Sequence, residues 1–327
     1  MAVLSYLEAI RETLRQEMRR DERIIIYGED VGVRGGVFRV TEGLQKEFGE
    51  ERVIDSPLAE AAIVGTAIGA AINGLRPVPE IQFADFIFPA INQIVQEAAR
   101  IRYRSNGTFH VPLVIRAPFG GGVHGALYHS QSVEAFFAHV PGLKVVVPGT
   151  PYDAKGLLAS AIQDEDPVLY FEHKAAYRSL KGEVPDERYL IPIGQADYKR
   201  QGKDVSIITY GLMVSYALKA AEELEKEGIS VEVLDLRSVR PLDVEKILET
   251  AKKTGKVLVV HEDNLTGGIG GEVSALISEH ALFYLDAPIM RLAGPDVPAM
   301  PYAAPLEHAF MVTPEKIRDK ARELAKF

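Results

Sequence analysis

Cysteine is absent from the 327 residues, which removes thiol nucleophiles, disulfides, zinc knuckles and iron–sulfur clusters together and leaves a reducing cytoplasm as the expected compartment. Any catalysis has to draw on oxygen, nitrogen or a cofactor. An excess of positive charge is also missing. The 37 Lys and Arg stand against 46 Asp and Glu, a formal charge of −9, so no broad positive field exists to gather a nucleic-acid backbone. The longest stretch free of Asp, Glu, Lys, Arg and His, Ala61 to Leu75, contains Thr66, Asn73 and several glycines. It falls short of the roughly 18 apolar residues of a membrane span. The first charge is Glu8, with no basic segment and apolar run of the kind a secretory signal shows, so neither export nor membrane is expected. Hydrolase and P-loop readings lack their motifs: neither Gly-x-Ser-x-Gly nor Gly-x-x-x-x-Gly-Lys occurs.

What is present is a chain 47% hydrophobic and 25% charged, long enough at roughly 100–200 residues per domain for two cores. Apolar runs at Ile24 to Ile26, Val111 to Ile115, Val145 to Val147 and Val168 to Phe171 alternate with helix-length amphipathic segments. That alternation predicts an α/β fold with parallel sheets. A polar stretch from about Arg178 to Asp204 interrupts it, dividing the chain into residues 1–180, a linker to about 204, and 205–327. In the second part, Val205 to Thr209, Val231 to Asp235, Val257 to His261 and Ile289 to Leu292 read as buried strands. Helices are expected near 212–227, 243–254 and 270–283, followed by a polar closing helix from Pro314 to Lys326 that covers a sheet edge or meets a partner.

Three segments carry possible chemistry. In Asp55-Ser56-Pro57-Leu58-Ala59-Glu60, Ser56 is expected to cap a helix, Pro57 to occupy its first position and Glu60 to fall in its first turn. Ala61, Ala62, Gly65 and Gly69 then recur at helical spacing, a face that allows close approach of another backbone. Glu60 is the only charge between Ser56 and Leu75. It either complements the helix dipole, worth about 0.3–1 kcal/mol, or is a carboxyl stripped of hydration and able to donate a proton to a buried nitrogen base.

The second segment, Gly120 to Ser132, places three glycines, His124 and His129 directly after a strand, at the end of a parallel sheet where ligands bind. The two histidines are either proton-exchanging groups or solvated loop residues. Their five-residue spacing is not that of a helical zinc pair. The third segment, Gly267-Gly268-Ile269-Gly270-Gly271-Glu272, misses the dinucleotide fingerprint because Val273 stands where the third glycine belongs, and it reads as a tight turn entering a helix.

Together with Gly28-Glu29-Asp30-Val31-Gly32, Glu80 to Pro89, Arg102-Tyr103-Arg104-Ser105, Pro141 to Val146 and Thr150 to Leu158, these segments resemble, end to end, the β subunits of the thiamine-diphosphate-dependent decarboxylating component of 2-oxo acid dehydrogenase complexes. The run His-Gly-Ala-Leu-Tyr-His-Ser-Gln-Ser, with Glu134 to Ala138 after it, is most similar to the branched-chain members, which act on 2-oxoisovalerate-type acids. The resemblance implies two domains of three-layer parallel-sheet architecture, a transketolase-like pyrimidine-binding domain and a transketolase C-terminal-like domain.

By the same resemblance, Glu60 matches the glutamate that hydrogen-bonds the cofactor's aminopyrimidine and promotes deprotonation of the thiazolium carbon, which attacks the keto carbon before carbon dioxide leaves. His129 matches the histidine that assists proton transfer and reaction with the lipoyl group of the partner acyltransferase. Leu58, Gln82 and Phe86 match positions around the pyrimidine. Leu113, Ala161, Ile162, Asp164 and Asp166 match a cluster that binds a structural potassium, mostly through backbone carbonyls.

No Gly-Asp-Gly segment occurs in the chain, so only the pyrimidine half of such a site is represented. A separate α subunit is therefore expected to hold the diphosphate and magnesium, in a heterotetramer of two α and two β chains. Two alternatives stand beside this reading. One is a pyruvate or acetoin dehydrogenase β subunit; the other is a non-catalytic nucleotide-binding or scaffolding protein on the same fold.

Overall fold

The computed structural model describes residues 1–327. Its larger sheet runs from edge to edge through Ser238–Arg240, Lys144–Val146, Val168–His173, Val114–Phe119, Arg76–Glu80, Ile24–Gly28 and Val53–Asp55. All neighbours are parallel except Ser238–Arg240, which pairs antiparallel with Lys144–Val146. The second sheet orders Met290–Gly294, Val257–Asn264, Val205–Thr209, Val231–Asp235 and Asp197–Arg200, the last strand antiparallel. The continuous apolar runs of the inner strands follow from this arrangement, because a parallel strand with helices on both faces is buried on both. No helix is long and apolar enough to cross a membrane.

The stretch expected as a linker is more structured than its polarity suggests. Lys181–Val184 pairs antiparallel with Ala2–Ser5, tying the chain back to its own beginning, and Asp197–Arg200 closes an edge of the second sheet. Edge strands tolerate polar residues because one backbone face stays in water, which is why the segment reads as loop. The strand Ser238–Arg240 meanwhile crosses from the second half to extend the first sheet. Both apolar cores draw on both halves, one joining Ile10 and Leu14 to Ile207 and Leu224, the other joining Val145 and Phe171 to Ile208 and Leu234. The closing helix, Pro314–Ala325, buries Ile317, Ala321 and Leu324. It lies against the helix Leu212–Lys226 through Arg318–Glu223 and Arg322–Glu227.

Beneath the larger sheet's carboxyl edge lies one fully buried guanidinium. Arg116 takes Glu172 by two hydrogen bonds of 2.6 and 2.7 Å and Glu80 by one of 2.7 Å, while the Tyr177 hydroxyl donates to Glu172 at 2.6 Å. The planar fork of arginine matches two carboxylates at once. The network joins three adjacent strands below the loops that carry the site.

Candidate active site

Five parallel strands, ending at Gly28, Asp55, Glu80, Phe119 and His173, deliver their following residues to one edge. Those residues include Glu29, Glu60, the segment Gln82–Phe86, the glycine-histidine loop and Lys174. The carboxyl edge of an open parallel sheet is where the loops diverge and leave room for a ligand.

Glu60 is the first residue of the helix Glu60–Ile72 and so stands in its first turn, but the helix does not start behind a Ser56 cap. The Ser56 amide donates to Gly28 O at 2.9 Å, which prolongs the pairing of Val53–Asp55 with Ile24–Gly28 and delays the turn. Ala59, at φ −162°, becomes the N-cap without a side-chain hydrogen bond, and the Ser56 hydroxyl donates to Pro57 O instead. The carboxyl of Glu60 is half-buried and makes no hydrogen bond or ion pair within the chain. Glu29 stands close to it: burial raises the Glu29 carboxyl above its usual range, and the negative charge of Glu60, then of Asp30, raises it further. On the helix that follows, Ile63, Val64, Ala67 and Ile68 face the core. Ala62, Thr66 and Gly69 lie exposed, and nothing approaches the Cα of Gly69. The small-residue face is uncovered in this chain.

His129 is half-buried among aromatic rings. Phe83 meets it edge-on with centroids 4.6 Å apart, and Phe86 likewise at 5.4 Å. Phe83 in turn touches Phe86 and Phe38. Phe86 therefore stands in the aromatic group around His129, with Gln82 half-buried just upstream. Leu58 is different: at 77% exposure it projects from the connection before the Glu60 helix and covers nothing in this chain. The helix Glu60–Ile72 packs against Phe88–Ala90, just downstream of the segment that carries Phe83 and Phe86.

The glycine-histidine loop is held by carboxylates that the sequence reading missed. Asp85 Oδ1 accepts the Ser130 and Gln131 amides at 3.2 and 3.1 Å. Glu262 accepts the Gly121 amide at 2.6 Å and the Ser132 hydroxyl at 3.3 Å, and Glu307 accepts the Gly122 and His124 amides, both at 3.1 Å. Two of the three come from the second half of the chain. His124 points away from His129: at φ +55° it turns outward and its ring meets Glu307 at 2.5 Å. Beside the loop lies a cavity of about 550 Å³ walled by Phe88, Ser132 and Phe136 on one side and by Glu262, Asp263 and Met300 on the other. No spacing rule links Asp85, Glu262 and Glu307 to residues 120–132, since only the fold brings them together.

The residues expected to bind potassium gather at the end of the helix Pro151–Gln163, and their oxygens take part in hydrogen bonds and ion pairs within the chain. Arg76 donates to the carbonyls of Ile162 and Asp164. The Leu113 carbonyl takes the Val168 amide and the Ala161 carbonyl that of Asp164. Lys144 holds the Asp164 carboxylate, and Arg102 with Lys144 holds Asp166. Three cationic side chains, Arg76, Arg102 and Lys144, thus contact this cluster. The glycines of the third segment form a tight turn around buried His261, whose ring is met by any Cβ added at Gly268 or Gly270; Gly268 caps the helix Ile269–Ala281.

Comparison with known proteins adds three findings. Residues 2–179 match the family of the transketolase pyrimidine-binding domain and residues 194–317 that of the transketolase C-terminal domain. Over all 327 residues and the full length of each relative, the chain is 64% identical to the 2-oxoisovalerate dehydrogenase subunit beta of Bacillus subtilis strain 168. It is 50% identical over the same span to that organism's pyruvate dehydrogenase E1 component subunit beta and 51% to that of Staphylococcus aureus strain Mu50. Among solved structures it resembles a split-gene transketolase, an inactive β4 tetramer, at a TM-score of 0.81 and 23% identity, covering 99% of this chain and 98% of the other, a likeness of fold.

Proposed function

The chain belongs to the β subunits of the thiamine-diphosphate-dependent 2-oxo acid dehydrogenases, and we infer from that membership and from its carboxyl-edge site that it serves a branched-chain member. It is the subunit of an oxidoreductase that works with an α subunit. The substrates are 2-oxoisovalerate-type acids, and the acyl group passes to the lipoyl group of an acyltransferase partner. The 64% identity to a 2-oxoisovalerate dehydrogenase subunit, against 50% and 51% to pyruvate dehydrogenase subunits, supports the branched-chain substrate over pyruvate.

The residues present fit half of the cofactor. A carboxyl with no partner in its own chain, at the same sheet edge as the cluster of Phe83, Phe86 and His129, suits an aminopyrimidine, which offers ring nitrogens on its rim and apolar faces. When bound, thiamine diphosphate supplies the electron sink for loss of carbon dioxide. Glu60 would hold a hydrogen bond to a ring nitrogen, with Glu29 beside it disfavouring a second negative charge. Gln82 would supply an amide and Phe86 an apolar wall. His129, pressed between two rings, is fixed in orientation and can carry a proton to or from the substrate oxygen. Leu58, exposed here, would complete the pyrimidine wall once a partner covers it.

Nothing in the chain would hold a diphosphate and its magnesium, since Gly-Asp-Gly is missing. We place both on the α subunit. The uncovered small-residue face of the Glu60 helix supports a subunit contact there, since glycine and alanine let backbones approach closely. A potassium ion at Leu113, Ala161, Ile162, Asp164 and Asp166 would share those oxygens with Arg76, Arg102 and Lys144, and no step is assigned to it. The single observation that carries the reading is the unpartnered Glu60 carboxyl at the sheet's carboxyl edge.

The test is dye-coupled decarboxylation of 2-oxoisovalerate and pyruvate by this chain, with and without a co-expressed α subunit, thiamine diphosphate and magnesium. Activity is expected only in the assembled enzyme and faster on 2-oxoisovalerate. Glu60→Ala should still assemble and lose turnover by about 10²–10⁴-fold. Turnover by the chain alone, or normal turnover in that variant, would overturn the assignment.

A further inference from the structure

His173 ends the strand Val168–His173 of the first half, and Glu262 lies in the strand Val257–Asn264 of the second. Both side chains are buried, and they meet across the two halves with His173 Nε2 at 2.8 Å from Glu262 Oε2. The other ring nitrogen decides which way this bond runs. The Ala175 amide donates to His173 Nδ1 at 3.2 Å, and a nitrogen that accepts carries no hydrogen, so the ring hydrogen sits on Nε2 and points at Glu262. The second oxygen of Glu262 serves the glycine-histidine loop. Oε1 accepts the Gly121 amide at 2.6 Å and the Ser132 hydroxyl at 3.3 Å, beside the neck that Gly120 N and Gln131 O close at 3.0 Å. One carboxylate thus takes hydrogens from the ring and from both ends of the loop. Gly120 leaves room for the arrangement, since a Cβ there would stand 2.2 Å from His173 Nε2.

We propose that Glu262 and His173 are positioning residues for His129: the ring, fixed as its Nε2–H tautomer by the Ala175 amide, orients Glu262 as an all-acceptor clamp on both ends of the loop that carries His129. The proposal rests on the role given to His129 above. The direction of the hydrogens is what the clamp depends on. A carboxylate accepts on both oxygens, whereas an amide offers one oxygen and one NH2 group. In Glu262→Gln, an amide oxygen turned to the loop aims NH2 at the Nε2 hydrogen, and escape to the other tautomer sets an Nδ1 hydrogen against the Ala175 amide. Turned the other way, NH2 meets the Gly121 amide. Either orientation strands a buried N–H, and a half-satisfied network holds its members less firmly than a complete one. His129 lies between the two clamped ends and moves with them. The neighbouring carboxylates do not take over, since Asp85 holds the Ser130 and Gln131 amides and Glu307 those of Gly122 and His124.

The experiment is a double-mutant cycle in the assembled α–β enzyme, read by amide hydrogen exchange over residues 120–132 and by kcat and KM for 2-oxoisovalerate decarboxylation. Glu262→Gln should speed exchange in that segment by about 10- to 100-fold and lower kcat by about 10- to 100-fold, with KM little changed. His173→Gln puts near the place of Nε2 an amide that can donate or accept, while giving up the Ala175 contact. In that background Glu262→Gln should change exchange and kcat by no more than about threefold, because the two amides pair oxygen to NH2 and leave an oxygen for the loop. Equal losses in the two backgrounds, or parental exchange and kcat in Glu262→Gln alone, would overturn the proposal. Should Glu262→Gln assemble only together with His173→Gln, that rescue supports it; failure to assemble in both backgrounds overturns it. An inactive parent enzyme would count against the function assigned above, while the exchange comparison would still decide the roles of Glu262 and His173.

Discussion

Glu29 and Glu60 show how one side chain sets the chemistry of another. Burial raises the Glu29 carboxyl and the charge on Glu60 raises it further, because two carboxylates in one partly dehydrated place resist ionising together. Replacing Glu60 by Gln removes that charge while keeping the shape. The Glu29 carboxyl should then titrate at lower pH, closer to an ordinary glutamate, as read by carbon NMR of labelled glutamate. An unchanged Glu29 titration would mean that the two carboxyls do not share a site. Histidine gives the opposite lesson, since His124 and His129 sit five residues apart in one loop yet face a carboxylate and an aromatic wall respectively. Residue type and spacing do not separate them; the backbone turn at His124 does.

At the scale of the element, the strand Val114–Phe119 buries every residue, including Arg116, and survives because Glu80 and Glu172 on the strands either side pair with it. Removing one partner of such a network leaves uncompensated charge inside the sheet. Arg116→Met should therefore cost about 3–5 kcal/mol in urea unfolding, with the glycine-histidine loop that follows the strand losing order first. A loss below about 1 kcal/mol would show that the carboxylates find water or each other instead. The helix Glu60–Ile72 carries a different element-level lesson. Ser56 and Pro57 have the right identities for a helix start, but the strand pairing through the Ser56 amide outlasts them and moves the start to Glu60.

Across the whole molecule, the two halves are bound by charge as well as by shared cores. Asp153 of the first half holds Lys199 at 2.6 Å and Arg237 at 2.6 Å from the second, and Asp235 Oδ2 lies 3.9 Å from the Lys199 ammonium without a hydrogen-bond partner. Burial, then the charge of Asp153, pushes the Asp235 carboxyl up to about 7, against roughly 3.9 in an unfolded chain. Between those values the folded protein holds a proton that the unfolded chain has released, so this group makes stability fall as pH rises from about 4 to 7. The decrement is roughly 1.4 kcal/mol for each tenfold difference in proton affinity. Asp235→Asn should flatten that decline and leave the variant more stable than the parent at pH 8, measured by denaturant midpoints at pH 5 and 8. The strand Ser238–Arg240 and the joined cores further predict that both halves unfold in one transition. Two separated transitions by near- and far-ultraviolet circular dichroism would contradict that expectation.

Much of this architecture was legible in the chain itself. The segments Val205–Thr209 and Val231–Asp235 read as buried strands because Val, Ile and Leu dominate them, as burial on both faces requires, although Ser206 and Glu232 are buried among them. Glu60 stood out as the lone charge in a small-residue helix, and the family pattern around it carried its role. Polar edge strands such as Asp197–Arg200 stayed hidden, because a strand with one face in water resembles a loop in composition. Only the tertiary structure could bring Asp85, Glu262 and Glu307 to one loop from three separate stretches of chain. Hydrogen bonds form between groups that meet in space, so the loop amides and the carboxylates that hold them carry no mark of each other in the sequence.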